Sequence, residues 1–174
     1  MAFGDKPFGL RQIVVTTIDG ASQAPLPAAR TLGYEERLVQ NEMRGNDVVE
    51  SVVSIVDAVE WSLEHGGIGL DAWAIMTGRT VVESGTTPNE QATYNISAGH
   101  CYPYFKVYGK SFGENCSDDV HILLYKCKVT SPISGQFQDA EFWVTSCDGI
   151  AIDDGMNGIA DIVQHETAVD LPTS

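Results

Sequence analysis

Residues 48–64 read VVESVVSIVDAVEWSLE. The second half alternates. Val59, Trp61 and Leu63 fall on one side of an extended chain, and Ala58, Glu60, Ser62 and Glu64 on the other. A period of two over that length marks a half-exposed strand, with one wall on a core and one in water. The first half is apolar on both parities. Five valines and an isoleucine in nine residues favour strand over helix, because β-branched side chains lose χ1 freedom in a helix. The expectation for 48–56 is a strand buried on both faces.

The neighbours on either side extend this reading. Residues 40–47 (QNEMRGND) are polar and end in the turn signal Gly45-Asn46-Asp47. Before them, Leu32, Tyr34 and Leu38 share a parity within 28–39, which reads as a second strand. The segment between is too long and polar for a two-residue turn, so a long hairpin tip is expected. Residues 11–18 (RQIVVTTI) read as a first strand. Downstream, HGGIG at 65–69 breaks the chain, and 70–77 (LDAWAIMT) reads as a helix. Asp71 suits its N-terminal dipole and Gly78 its C-terminal stop. Short strand candidates follow at 80–84, 92–97, 104–108, 120–128, 135–138 and 140–146, separated by Gly, Pro, Asn or Asp. The pattern is that of a mainly β protein, a sandwich or half-barrel with one short flanking helix. Its expected organisation is a mobile N-terminal arm over 1–9, a β domain over 10–150, and a C-terminal segment over 151–174 that adds a strand or an arm.

The 174 residues suit one domain, with 43% hydrophobic and 20% charged residues, an ordinary globular composition. The longest apolar run, AWAIM at 72–76, is far short of the roughly 20 residues that span a bilayer. The first residues lack the basic-then-apolar form of a secretory signal. That favours a reducing compartment, where Cys101, Cys116, Cys127 and Cys147 stay free thiols. Twenty-four acids against ten bases leave a net charge of −14. Such a surface repels phosphate and disfavours ordinary nucleic-acid binding.

Templates for chemistry fail in turn. His165-Glu166 opens a zinc-protease pattern, but Val169 stands where the second histidine belongs. His100, Cys101, Cys116 and His121 lack a close Cys-x-x-Cys knuckle. Residues 153–164 imitate a calcium loop at Asp153, Asn157, Gly158 and Asp161, yet end in Gln164 where a bidentate Glu is needed. No G-x-S-x-G elbow or phosphate-cradling Gly loop occurs. Neither catalytic residues nor a cofactor are expected. An assembly subunit fits what remains, and a monomeric acidic β-barrel binding a small ligand or carbohydrate is the alternative.

Several pieces in order carry a family likeness. They are Leu26-Pro27-Ala28-Ala29-Arg30-Thr31-Leu32, Met43-Arg44-Gly45-Asn46-Asp47, and the run from Asp57-Ala58-Val59-Glu60-Trp61 to His65-Gly66-Gly67-Ile68. Leu70-Asp71-Ala72, Gly85-Thr86-Thr87-Pro88, Pro103-Tyr104-Phe105-Lys106-Val107 and Asp119-Val120-His121 to Tyr125-Lys126-Cys127-Lys128 continue it. Over residues 10–147 the chain resembles the major tail tube proteins of phages with long, non-contractile tails. The same fold serves type VI secretion tubes. The resemblance implies six copies closing into a ring, and rings stacking into a tube. That tube encloses a tape measure protein, ends at terminator and distal tail proteins, and conducts DNA into the host without binding it specifically. It further implies a place in the virion tail, assembled in the host cytoplasm.

Three sets of residues are then expected to do the work. Glu60 and Glu64, with Asp57 near a strand end, are expected to line the channel. An acidic lumen repels DNA phosphate. Gln40, Asn41, Glu42, Met43, Arg44, Gly45, Asn46 and Asp47 are expected to reach the next ring, with Met43 as anchor and the charges fixing register. Phe3 and Phe8 of the arm are expected to dock on a neighbouring copy.

Overall fold

The computed structural model describes residues 6–67, 69–113 and 118–172. Among these residues ten strands and one helix follow in the order β1 (Phe8–Thr17), β2 (Gln23–Pro25), β3 (Ala29–Gly45), β4 (Val48–Gly66), α1 (Leu70–Thr77), β5 (Val81–Ser84), β6 (Gln91–Tyr94), β7 (Phe105–Phe112), β8 (Asp119–Val129), β9 (Val144–Ala151) and β10 (Ala160–His165). The fold is mainly β and antiparallel. One sheet runs β2-β1-β7-β8-β9-β4-β3, with β10 also pairing β8, and β5-β6 form a separate ribbon. The sheet curls on itself, so that Leu32 of β3 lies over Gly109 of β7.

The inner face is the core. Ile13, Val15, Val59, Trp61, Leu63, Phe105, Val107, Leu124, Cys127 and Cys147 meet there, and α1 closes one end with Ala72, Ile75 and Met76. Each large apolar side chain buried in this way contributes about 1.5–3 kcal/mol. Trp61 and Phe105 pack edge to face, with ring centroids 5.8 Å apart. A Cβ at Gly149 would overlap both the Trp61 ring and the Lys128 carbonyl, so β9 passes Trp61 only as glycine. Helix α1 ends at Gly78 in the left-handed region, φ 73°, where its N–H bonds to the Ala74 carbonyl at 2.7 Å.

The outer face is covered in part by the chain's own end. Beyond β10, residues 166–171 cross β7 and β8. Leu171 packs with Val14 and Tyr108. The Asp119 carboxylate accepts the Val169 N–H at 2.7 Å and pairs with the Lys110 ammonium at 2.7 Å, while Lys110 donates to the Val169 carbonyl. His121 lies beside this pair, its Nε2 4.0 Å from the Asp119 carboxylate, and meets the His165 ring at a tilt, centroids 4.5 Å apart.

Four expectations need correction. Phe8 and Gly9, placed in the N-terminal arm, are the first residues of β1, with Phe8 opposite Phe112. Residues 40–45 are not a loop. They continue β3 in register with β4, and the chain reverses in two residues, Asn46 (φ 48°) and Asp47 (φ 64°). Positive φ at both positions is the type I′ turn that matches strand twist. Residues 48–56, expected to be buried on both faces, are exposed throughout. Residues 135–138 form no strand. Only Ser134 bridges Ser146, and β9 starts at Val144 and runs on to Ala151.

Candidate assembly interface

The alternation in 59–65 is realised in the structure. Val59, Trp61, Leu63 and His65 are buried, and Glu60, Ser62 and Glu64 are exposed. Cross-strand register extends the exposed face. Glu60 lies opposite Glu35 and Ile150, Ser62 opposite Gly33 and Asp148, and Glu64 opposite Thr31 and Ser146. The result is a polar wall across β3, β4 and β9, where the Glu64 carboxylate accepts a weak hydrogen bond from the Thr31 hydroxyl at 3.4 Å.

Beyond Asp57 the same two strands leave the sandwich as a ribbon. Two bulges set its faces. Arg37 pairs Ala58 but Leu38 pairs Val56, so Asp57 is the extra residue, and Glu50 is likewise extra between Ser51 and Val49. A bulge shifts the phase of side chains along its strand. The face that carries even-numbered Glu60 and Glu64 therefore continues through odd-numbered Ile55 and Val53, paired with Val39 and Asn41. Met43 and Val48 complete it. Val39, Met43, Val48, Val53 and Ile55 are each between 54% and 64% exposed. The ribbon's other face adds Leu38, Val52 and Val56, all exposed. Two strands with apolar side chains in water on both sides form a marginal structure unless another layer covers them.

The expected stacking residues lie on this ribbon, but with altered roles. Met43 belongs to the apolar face. Arg44 pairs within its own strand with Glu42 at 3.1 Å, and Asn46 and Asp47 make the turn. Asp57, expected in the channel, is held by two hydrogen bonds from Arg37, at 3.0 and 2.7 Å. That guanidinium keeps the Asp57 carboxyl below the usual carboxylate range. Phe8 is 79% exposed at the far side of the sheet, beside Phe112, whose ring carries the Arg11 guanidinium 4.0 Å from its centroid. Phe3, like Cys116, lies outside the described residues.

Two further exposed features escaped the sequence reading. Phe137 and Phe142 stand out from the 131–143 loop, with Phe137 against Trp143 at 4.1 Å. Lys126 and Lys128 flank the Tyr104 ring at 5.3 and 4.9 Å. The calcium-like segment is a turn, in which the Asp154 carboxylate accepts the N–H groups of Met156 and Asn157 at 2.8 and 2.7 Å. Those bonds pull its carboxyl down to about 2.

No protein-family model and no curated protein matches this chain. Solved structures with a similar chain path include the anti-feeding prophage cap, the AFP tube terminating cap. It has 15% identity and a TM-score of 0.49, and the match covers 97% of this chain and 95% of that one. Another is in the sheath-tube complex of an extracellular contractile injection system, PVC, in its extended state, with 11% identity, a TM-score of 0.42, and 94% of each chain covered. A third is in the anti-feeding prophage baseplate, with 8% identity, a TM-score of 0.34, and 94% and 97% covered.

Proposed function

We propose that this protein is a structural subunit that assembles with copies of itself into the tube of a phage-like tail. The observation that carries the reading is the β3–β4 ribbon. Its valines, isoleucine and methionine are exposed on an arm that has no layer of its own, and a further copy in a homopolymer supplies one. The ribbon's ten or so residues beyond Asp57 span about 30 Å at the rise of a strand. That reach suits contact with a copy in the next ring as well as a lateral neighbour. The sequence resemblance supports the same reading, with six copies to a ring.

The polar wall of Ser62 and Glu64, with Glu60 at its border, is the surface we assign to the channel, where carboxylates keep passing DNA from adhering. A tape measure protein would occupy that channel during assembly, and terminator and distal tail proteins would meet the tube's ends. Phe8, with Phe3 upstream, is a second apolar contact for a neighbouring copy.

Electron microscopy and sedimentation velocity on concentrated protein test the reading. Rings or tubes of uniform bore are expected. Val53→Lys with Ile55→Lys should leave a monomer with native circular dichroism. A wild type that stays monomeric at every concentration, under conditions that preserve its fold, overturns the proposal.

A further inference from the structure

The outer sheet face is graded in charge along one cross-strand row. Lys128 of β8 pairs Ile150 of β9, Ile150 pairs Glu60 of β4, and Glu60 pairs Glu35 of β3. β3 is the last strand of the sheet, so the acidic end of the row lies at a free edge. At the basic end, Lys126 and Lys128 of β8, in the middle of the sheet, bracket Tyr104. Lys106 of β7 lies across the strand pairing from them and interacts electrostatically with Asp19. Ion pairs among the described residues engage Arg37, Arg44, Lys110 and His121, and none engages Lys126 or Lys128. On a chain of net charge −14 such a pair of lysines calls for a carboxylate partner, and the chain itself bears carboxylates at its β3 edge.

We propose that this gradient makes association between copies directional. The Glu35–Glu60 edge of one copy docks beside the Lys126–Lys128 stripe of the next. The inference rests on the self-assembly reading and adds to it which surfaces meet. The physical argument is one of sign. Joining two β3 edges about an axis near Glu35 would set Glu35 and Glu60 of one copy against the same residues of the other, and like charges in contact are strongly disfavoured. Joining β3 to the lysine side pairs opposite charges. It also leaves each copy with one unused end of each kind, the heterologous arrangement that closes into a ring when its rotation permits. Nucleic acid is disfavoured as the occupant, because its phosphates would have to approach a protein of the same sign.

A charge-swap complementation distinguishes this from other geometries. One variant carries Lys126→Glu and Lys128→Glu, and the other Glu35→Lys and Glu60→Lys. All four positions lie on the outer face, so both variants should keep native circular dichroism. Each alone should need at least about tenfold higher concentration than wild type to associate at low salt, by sedimentation velocity. An equimolar mixture should recover wild-type association, because every contact between unlike copies is again opposite in sign. The neutral pair Lys126→Gln with Lys128→Gln serves if a reversed variant fails to fold, and should weaken association and flatten its salt dependence. Wild-type association by either variant alone, or no recovery on mixing, overturns the directional contact while leaving self-assembly intact. Binding of a single-stranded oligonucleotide that is lost on lysine reversal, with association unchanged, overturns it as well. A wild type that never associates removes the parent reading, and this one with it.

Discussion

Arg37 and Asp57 form a two-bonded ion pair at the point where one continuous sheet face changes character. Below the pair the face carries Glu60, Ser62 and Glu64, and above it Ile55, Val53 and Met43. The bulge at Asp57 makes the change of phase, and the guanidinium fixes the bulged residue's side chain. Arg37→Ala should therefore loosen the root of the ribbon. The pair is solvent-exposed, so thermal stability should stay near wild type. Amide exchange over residues 38–56 should quicken, and association should slow. Unchanged exchange would show that the ladder alone fixes the ribbon.

Glu64→Lys reverses the charge of the polar wall away from the Glu35–Glu60 row while leaving Trp61 and Leu63 buried. If this wall lines the channel, particles built from the variant should form normally and release DNA more slowly, read by a dye-accessibility time course. Wild-type release from tubes verified to carry the change would place the wall outside.

Gly149→Ala forces a methyl group into the Trp61 ring, and no flexible side chain is there to give way. Overpacking of this kind costs about 1–3 kcal/mol. Trp61→Ala should cost more, about 3–5 kcal/mol, through lost burial and the cavity left beneath Phe105. Urea denaturation midpoints check both.

His121 supplies a pH dependence. Burial, then the neighbouring His165 of β10 and Lys110 of β7, hold its pKa below the ordinary 6.5, against the pull of Asp119 and the Val169 backbone. The unfolded chain therefore takes up this proton first. The stability that neutral His121 contributes is complete above about pH 6.5. It is lost as pH falls through 6.5 toward the folded value. The clasp of residues 166–171 is packed against the same groups and should open earliest. Protection of the Val169 amide, its exchange measured relative to the intrinsic rate at each pH, should fall between pH 7.5 and 5.5, and His121→Leu should flatten that response.

Thiol reactivity should separate the described cysteines. Cys101 is exposed, whereas Cys127 and Cys147 are buried, and burial pushes the Cys147 thiol up to about 12. A thiol reagent at neutral pH should label Cys101 promptly and the other two only on unfolding.

Much of this architecture is legible in the chain. Period two over 59–64 predicts the buried Trp61 side and the exposed glutamate side, and LDAWAIMT before Gly78 predicts the helix to the residue. The ribbon is harder to read. Its hydrophobic residues look like a doubly buried strand, because two bulges break the alternation and because the layer that should cover them is no part of this chain's own sandwich. Polarity at 40–45 suggests a loop, yet a strand in water on both faces has no use for apolar alternation. The lysine stripe on β8 is invisible as a cluster, since Tyr104 and Lys128 meet only through the β7–β8 pairing. Residues 166–171 give no sequence signal, because their attachment depends on the buried Lys110–Asp119 pair some fifty positions away.

The tight Asn46-Asp47 turn also has a temporal meaning. The β3–β4 ladder is local in sequence and starts from a turn already shaped for it, so it can zip in microseconds. The sandwich must wait for β1 to find β7, where Val15 meets Val107 more than ninety residues later. During synthesis the adhesive ribbon can therefore start to pair before the domain that carries it exists, and it is marginal until another layer covers it. A crowded ribosome array making this protein holds many such segments at once, at high local concentration. Premature pairing between nascent chains is then a hazard on its folding route, and the charges Arg44, Asp47 and Glu50 near the tip are placed where they can slow it.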